Sequence, residues 1–146
     1  SGGDSAMPHL FLKSSINNKE QTYNYNDNKT TINIDTDSLH IVNEAMWRVI
    51  YDNDVGTASH LKKIEGIEFA GKTGTAQVYN LDKGKTGTKS LQDHALFISF
   101  APFESPEIIV SVIVDNGGSG SAIAAPIARD IIKFYFKNIK TNLAKQ

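Results

Sequence analysis

Residues 93–115 read DHALFISFAPFESPEIIVSVIVD, two apolar runs separated by a five-residue segment with a proline at each end. The runs at residues 93–101 and 107–115 are rich in β-branched and aromatic side chains, and neither alternates cleanly between apolar and polar residues. Runs of this kind are typical of strands that are covered on both faces. Since residues 102–106 are short enough to form a hairpin, the sequence predicts two antiparallel strands side by side.

A third strand is predicted on the N-terminal side of this hairpin. Ile67 and Phe69 alternate with a polar residue, and after Gly71 β-branched and aromatic residues keep the segment extended. Polar, glycine-bearing residues at 79–92 predict a loop between this strand and the next. Residues 66–115 are therefore expected to form a three-stranded antiparallel meander.

A helix is predicted before the meander, at residues 38–51, because apolar residues recur there at helical spacing. Asp37 or Ser38 can accept a hydrogen bond from the free N–H groups of its first turn. Trp47 is expected to pack in or beside the core. Residues 1–37, which precede the helix, are polar and predict a loop-rich lead-in, with one short strand at residues 31–34.

A second helix is predicted after the meander, at residues 123–138. The run NGGSG at residues 116–120 ends the last strand, and Pro126 is tolerated in the first turn of a helix. The order helix, three strands, helix predicts an α+β fold, a three-stranded antiparallel meander flanked by helices.

Composition restricts the possible functions. The chain has 146 residues, enough for about one domain, and a net charge of -1 from 15 basic and 16 acidic residues. This near-neutral balance argues against a nucleic-acid partner. The absence of cysteine excludes disulfides and thiolate metal sites, and the four histidines form no H-x-x-x-H pair, so neither a metal nor another cofactor is predicted. No apolar run is long enough to span a bilayer.

One short pattern suggests a nucleotide-binding function. Residues 66–73, GIEFAGKT, match the phosphate loop G-x-x-x-x-G-K-[ST] from Gly66 to Thr73. A phosphate loop must follow a strand and open a helix, so that backbone N–H groups converge on the anion. Neither flank has this character, so a nucleotide-binding domain is retained only as the alternative hypothesis.

The tetrapeptide K-T-G-T, formed by Lys72, Thr73, Gly74 and Thr75, occurs a second time at residues 85–88. The first copy lies in a β-prone segment, whereas lysines and glycines typical of a solvated loop surround the second. A lysine can neutralise a substrate carboxylate, threonine hydroxyls can bond it, and a glycine lets a substrate approach a strand edge. In a strand Thr73 and Thr75 share one face and Lys72 points to the other. Without a nucleophile these residues form only a binding surface.

Further motifs extend this pattern in order along the chain. They are AGKTGTAQV at residues 70–78, DHALF at 93–97, FAP at 100–102, NGGSG at 116–120 and AAPIA at 124–128, together with PHL at 8–10 and GTA at 56–58. These residues resemble the C-terminal part of the transpeptidase domain of class B penicillin-binding proteins. Within that family they most resemble the elongation transpeptidases of rod-shaped Gram-negative bacteria.

The resemblance implies a partial transpeptidase fold and a part in cross-linking peptidoglycan by serine acyl transfer. It implies that Lys72 is the third-motif lysine, which engages the serine of the second motif, and that Thr73 and Thr75 bind the carboxylate of a D-Ala-D-Ala stem peptide or a β-lactam. Gly74, between the two threonines, belongs to the same substrate-binding strand. The N–H group of Thr75 is implied as one oxyanion-hole donor. The resemblance further implies elongation-complex proteins as partners and a place on the periplasmic side of the inner membrane, with the anchor outside these residues.

The other two motifs of the family, S-x-x-K and S-x-N, lie before the Pro-His-Leu segment, so the nucleophile is expected to be absent. Residues 59–62 and 15–17 match these motifs by their letters, but both follow that segment and are interpreted as accidental. His94 is interpreted as a packed histidine at a strand end. The chain alone is therefore predicted to be inactive, and the uncovered edge of the strand at residues 107–115 is predicted to favour self-association.

Overall fold

The structure, a computed structural model, describes residues 4–6, 13–22, 29–77 and 92–140. The chain divides into two units, residues 1–40 and 41–146. The loop predicted at residues 79–92, which includes the second K-T-G-T copy, lies outside the described residues except for Gln92.

Two short antiparallel strand pairs form the first unit. Strand β1 (Asp4–Ala6) pairs with β4 (Lys29–Thr31), and β2 (Lys13–Ile16) pairs with β3 (Lys19–Thr22). The prediction of a loop-rich lead-in overlooked these strands because their residues are mostly polar and show no apolar alternation. The strand predicted at residues 31–34 is displaced, since the pairing of β4 with β1 ends at Thr31.

The turn between β2 and β3 contains two consecutive asparagines, a hairpin signal that the sequence prediction missed. Asn17 and Asn18 have φ angles of 52° and 61°, in the left-handed region. A two-residue hairpin loop of this kind needs positive φ at both positions, and asparagine tolerates it better than most residues.

Helix α1 (Thr36–Tyr51) begins two residues before the predicted start. Its cap is Asp35, whose carboxylate accepts hydrogen bonds from the Ser38 N–H at 2.9 Å and the Ser38 hydroxyl at 2.8 Å. These bonds favour the ionised carboxylate and lower the pKa of Asp35. The predicted cap, Asp37 or Ser38, is therefore wrong by two or three residues.

Three antiparallel strands form the sheet of the second unit, in the order β5 (Ala70–Ala76), β6 (His94–Ala101) and β7 (Ile108–Val114). This confirms the predicted α+β fold with its meander. The first strand is shorter than expected, because Ile64 and Ile67 instead pair with each other across a tight turn in which Gly66 has a φ of 72°.

The two faces of the sheet differ in burial. On β6 every second residue is buried, from Ala95 to Ala101, and Phe97 is only 1% exposed. On the opposite face Ile98, Ile109 and Ile113 are 48%, 72% and 65% exposed. The expectation that these strands are covered on both faces is therefore wrong for the described chain.

The C-terminal helix covers the buried face of the sheet. It begins with a π-helical turn (Gly120–Ala124), continues as α2 (Ala125–Phe134) and ends in a second π-helical turn (Tyr135–Lys140). Ile132 is fully buried in the same cluster as Phe97. The predicted helix at 123–138 is confirmed, with a start three residues earlier at the cap formed by Ser119, whose hydroxyl accepts from the Ala122 N–H at 3.3 Å.

Trp47 packs beside the core as predicted. Its ring stacks on Tyr51 with centroids 4.9 Å apart, and its Nε1 donates a hydrogen bond to Glu68 at 3.1 Å. None of the helices in the described ranges combines the length and the apolar character that crossing a membrane requires.

Candidate functional site

Strand β5 positions the first K-T-G-T copy at an outer edge of the sheet. Thr73 pairs with Phe97 and Thr75 with Ala95, whose side chains are buried, whereas Lys72 pairs with Ile98 on the exposed face. The pleat therefore separates the lysine from the two threonines, as the alternation of a strand requires. The Lys72 Nζ is exposed and donates to the carbonyl oxygen of Thr73 at 2.7 Å.

A shallow cavity of about 250 Å³ adjoins the lysine. Its walls come from three segments, residues 72–74, 96–98 and 111–113. The side chains of Leu96, Ile98 and Ile113 make it mainly apolar, with the ammonium group of Lys72 as its cation. The site thus offers a cation and two hydroxyls on opposite sides of one strand.

The hydroxyl of Thr73 has a partner that the sequence did not predict. Its Oγ1 lies 3.0 Å from the Oγ1 of Thr57. The Gly-Thr-Ala segment at residues 56–58 contributes to the sequence prediction only through the family resemblance. Because the two threonines are 16 residues apart, one in the turns after α1 and the other on β5, no spacing rule could have identified this contact.

Asp52 holds the segment with Thr57 in place at the end of α1. Its carboxylate accepts from Arg48 at 2.7 and 3.0 Å and from the N–H groups of Asp54 and Val55 at 3.0 and 3.2 Å. These bonds lower the pKa of Asp52, and the same carboxylate raises the pKa of Arg48. The carbonyl of Asp52 accepts from the Gly56 N–H at 2.9 Å. The position of Thr57 therefore depends on the last turn of α1.

Gly120, the first residue of the C-terminal helix, packs against β5, the strand that contains the first K-T-G-T copy. A Cβ atom at this position would lie 2.4 Å from the carbonyl oxygen of Gly74 and 2.5 Å from that of Leu96. Real Cβ atoms essentially never approach so closely, so only glycine fits here without a shift of the backbone. The first turn of the helix is thus packed directly against β5 and β6.

The two segments that match S-x-x-K and S-x-N by their letters, residues 59–62 and 15–17, do not lie in the structure that a catalytic motif needs. Ser59 is in a series of turns between α1 and β5, where its carbonyl accepts from Lys63 Nζ at 3.4 Å, and residues 59–62 form no helix. Ser15 is in β2 and Asn17 in the hairpin turn. An S-x-x-K nucleophile needs a helix that brings its lysine one turn away, which residues 59–62 lack.

The remaining candidates also take structural roles. His94 Nδ1 accepts from the Asn116 N–H at 3.0 Å, as expected of a packed histidine. In a phosphate loop, residues 70–76 would form a turn and the start of a helix. In this structure they form strand β5. Across the described ranges no group of three or more His, Asp or Glu residues could hold a metal ion.

A family model, the penicillin binding protein transpeptidase domain, matches residues 1–133. The chain therefore belongs to the penicillin-binding protein transpeptidase family. The peptidoglycan D,D-transpeptidase MrdA of Acinetobacter baumannii is 33% identical over 145 residues, which cover 96% of this chain and 21% of the relative. The chain covers 11% of the length of Haemophilus influenzae MrdA and 21% of that of A. baumannii MrdA, so it spans only a small part of these relatives.

Solved structures of penicillin-binding protein 2 (PBP2) align with the same fold. PBP2 of Pseudomonas aeruginosa, in complex with WCK 5153, aligns with a TM-score of 0.61 and 34% identity over 75% of this chain and 22% of that chain. Helicobacter pylori PBP2, in a complex with MreC, aligns with a TM-score of 0.57 and 27% identity over 73% of this chain and 19% of that chain. The chain is thus similar to a part of the MrdA and PBP2 transpeptidase domain.

Proposed function

We propose that this chain supplies the third-motif strand of a peptidoglycan D,D-transpeptidase of the MrdA and PBP2 type. The observation that supports the proposal most strongly is the position of K-T-G-T on β5, an outer strand beside a cavity, in a chain that belongs to the transpeptidase family. An outer strand can receive an extended peptide along its free edge. A stem peptide that ends in D-Ala-D-Ala is such a ligand.

In the proposed reaction the acylated serine lies outside these 146 residues. Its oxygen attacks the carbonyl carbon of the penultimate D-Ala, the bond to the terminal D-Ala breaks, and that residue leaves as a free amino acid after gaining a proton at nitrogen. An amine of a neighbouring peptidoglycan strand then attacks the acyl carbon, loses its proton and restores the serine hydroxyl. A β-lactam follows only the first half, because its leaving nitrogen stays tethered to the acyl group.

The described residues take binding roles in this reaction. Thr73 and Thr75 bind the substrate carboxylate, Lys72 on the other face of β5 engages the serine of the second motif, and the Thr75 N–H donates to the oxyanion as negative charge develops on it. Gly74 leaves room for the substrate backbone. The hydrogen bond between the hydroxyls of Thr57 and Thr73 fixes the orientation of the Thr73 hydroxyl before a ligand binds.

A place on the periplasmic side of the inner membrane and a role in cell elongation belong to the same proposal. The H. pylori relative forms a complex with MreC, and we infer that proteins of this kind are partners of the protein to which this chain contributes. The nucleotide-binding alternative is less favoured, because residues 70–76 form a strand.

The proposal is tested with a chimera in which this chain replaces the segment of A. baumannii MrdA that it matches. We expect a fluorescent penicillin to acylate the chimera at a rate within about tenfold of the parent enzyme, since the parent contributes the serine and this chain the third motif. In-gel fluorescence over time gives the rate. Exchange of residues 70–77 alone provides a second chimera with less risk to folding. A folded chimera that is not acylated would refute the proposal.

Self-association of the isolated chain follows from its uncovered strand. The outer strand β7 exposes Ile109 and Ile113 at 72% and 65%, and an apolar outer strand is a template for pairing with a second copy. Light scattering is expected to give a mass above the 16.0 kDa of one chain. The double variant I109K/I113K should return it to one chain, because lysines on an edge strand oppose pairing. The matched variant I127K/I131K, on exposed positions of α2, should not. A monomer at high concentration would contradict this expectation.

A further inference from the structure

A concave site lies where the turn before the sheet meets the C-terminal helix. Its cavity is about 570 Å³, within the range of roughly 300–1,000 Å³ typical of ligand pockets. It is lined by Lys62, Lys63, Ile64, Glu65, Ile67, Lys133, Phe136 and Lys137. None of these residues lines the cavity beside the K-T-G-T strand, so the proposed transpeptidase function does not account for this site.

Its lining contains four lysines and one glutamate. Lys133 and Lys137 are four residues apart along the C-terminal helix, a spacing that brings them to one side of it. The helix dipole favours lysines near a C-terminus, but it does not explain Lys62, which belongs to the facing segment. Positive charge from two separate elements therefore converges on one cavity.

Lys63 differs from the other three lysines because its ammonium group is engaged within the protein. Its Nζ donates to the carbonyl oxygens of Ile50 and Ser59 and lies 4.7 Å from the centroid of the Tyr51 ring. Burial accordingly lowers the pKa of Lys63. Lys63 thus lines the cavity, while its ammonium group is already hydrogen-bonded within the protein.

Lys62, Lys133 and Lys137 are exposed, and within the described ranges none of them takes part in an ion pair. The apolar part of the lining is formed by Ile64, which is buried, and by Ile67 and Phe136, which are partly buried. Three cations with no ion-pair partner among the described residues, arranged around an apolar surface, match a ligand that has both carboxylates and an apolar group.

We propose that this cavity binds an acidic peptide segment of a partner protein, which places one apolar side chain against Ile67 and Phe136 and its carboxylates against Lys62, Lys133 and Lys137. The concave shape favours a peptide over a lipid bilayer, since a basic surface that docks on a bilayer meets a plane and does not need an apolar pocket enclosed by walls.

The test uses the full chain and a fluorescein-labelled peptide, Asp-Asp-Phe-Asp-Glu, with fluorescence anisotropy as the readout. Lys133→Glu is expected to weaken binding by about tenfold, because it replaces attraction by repulsion at the cavity. Lys19→Glu makes the same change of charge on exposed strand β3 and should leave the affinity unchanged. Both lysines are exposed, so circular dichroism is expected to show the unmodified fold in each variant.

A second arm changes only the ligand, so that folding of the protein plays no part. Replacing the phenylalanine of the peptide with serine is expected to reduce the affinity by about tenfold, through the loss of apolar contact with Phe136. Equal affinities for the two peptides, or equal losses in Lys133→Glu and Lys19→Glu, would overturn the proposal. So would Lys133-dependent binding to phosphatidylserine vesicles without binding to the peptide, which would identify a membrane as the partner.

Discussion

Replacement of Lys72 by alanine in the MrdA chimera is expected to reduce the rate of acylation by a fluorescent penicillin by about 10²–10³-fold, the usual effect of removing one electrostatic partner of a transition state. The lysine is the cation proposed to hold the serine of the second motif, and among the described residues no other lysine lines the cavity beside β5. The measurement is the second-order rate constant of acylation, obtained from the time course at several penicillin concentrations.

The sequence itself provides the matched control for this variant. Lys85 begins the second K-T-G-T copy, with the same four residues as the first. Lys85→Ala removes the same side chain from the same tetrapeptide and is expected to change the rate constant by less than about twofold. A larger loss in Lys85→Ala would show that the binding strand has been assigned to the wrong copy, and similar losses in the two variants would show that Lys72 has no specific role.

Gly120→Ala is expected to lower the free energy of unfolding of the chain by about 3 kcal/mol, at the upper end of the usual cost of overpacking. The added methyl group would lie 2.4 Å from the carbonyl oxygen of Gly74 and 2.5 Å from that of Leu96. Both neighbours are backbone atoms of paired strands, so neither can rotate away, and either the helix or the motif strand must move. Urea denaturation followed by circular dichroism measures the loss.

Gly66→Ala separates this clash from the general cost of adding a side chain to glycine. Gly66 has a φ of 72°, and a Cβ atom there would meet nothing within 4 Å. Only backbone strain opposes the change, at about 1 kcal/mol. Equal losses for the two variants would contradict the close packing of Gly120 against β5. In the chimera, Gly120→Ala should also slow acylation, because the displaced strand contains the motif.

The parts of the fold that the sequence predicted correctly are those determined by local patterns. Apolar runs with a proline-bounded connection identified β6 and β7, and helical spacing identified α1 and the C-terminal helix. The hairpin at Asn17 and Asn18 was missed because its strands are polar on both faces, although two asparagines in a row are a recognisable turn signal.

The burial of the sheet could not be predicted in the same way. Ile109 and Ile113 are apolar, yet 72% and 65% of their surface is exposed in this chain. The composition of a strand reflects its burial in the complete protein. This chain covers about a fifth of the length of a relative such as A. baumannii MrdA. A single strand sequence contains no information on which element provides the cover.

The candidate site shows the same division. Lys72, Thr73, Gly74 and Thr75 could be predicted as candidates because their chemistry and strand pattern coincide within four residues. Three other residues contact or support the motif only through the tertiary fold. Thr57 pairs its hydroxyl with that of Thr73, and Asp52 holds the turn that contains Thr57. Gly120 packs closely against the backbone of Gly74. Contacts of this kind leave no periodic signal in the sequence.

Intact-mass spectrometry after incubation with penicillin tests the central claim most directly, with the chain and the MrdA chimera treated in parallel. The chimera is expected to gain the mass of one penicilloyl group on the serine contributed by MrdA, located by peptide mapping, while the chain alone keeps its unmodified mass. A stoichiometric adduct on the chain alone, for example at Ser59, or no adduct on a folded chimera, would contradict the assignment of this chain as the third-motif part of a transpeptidase site.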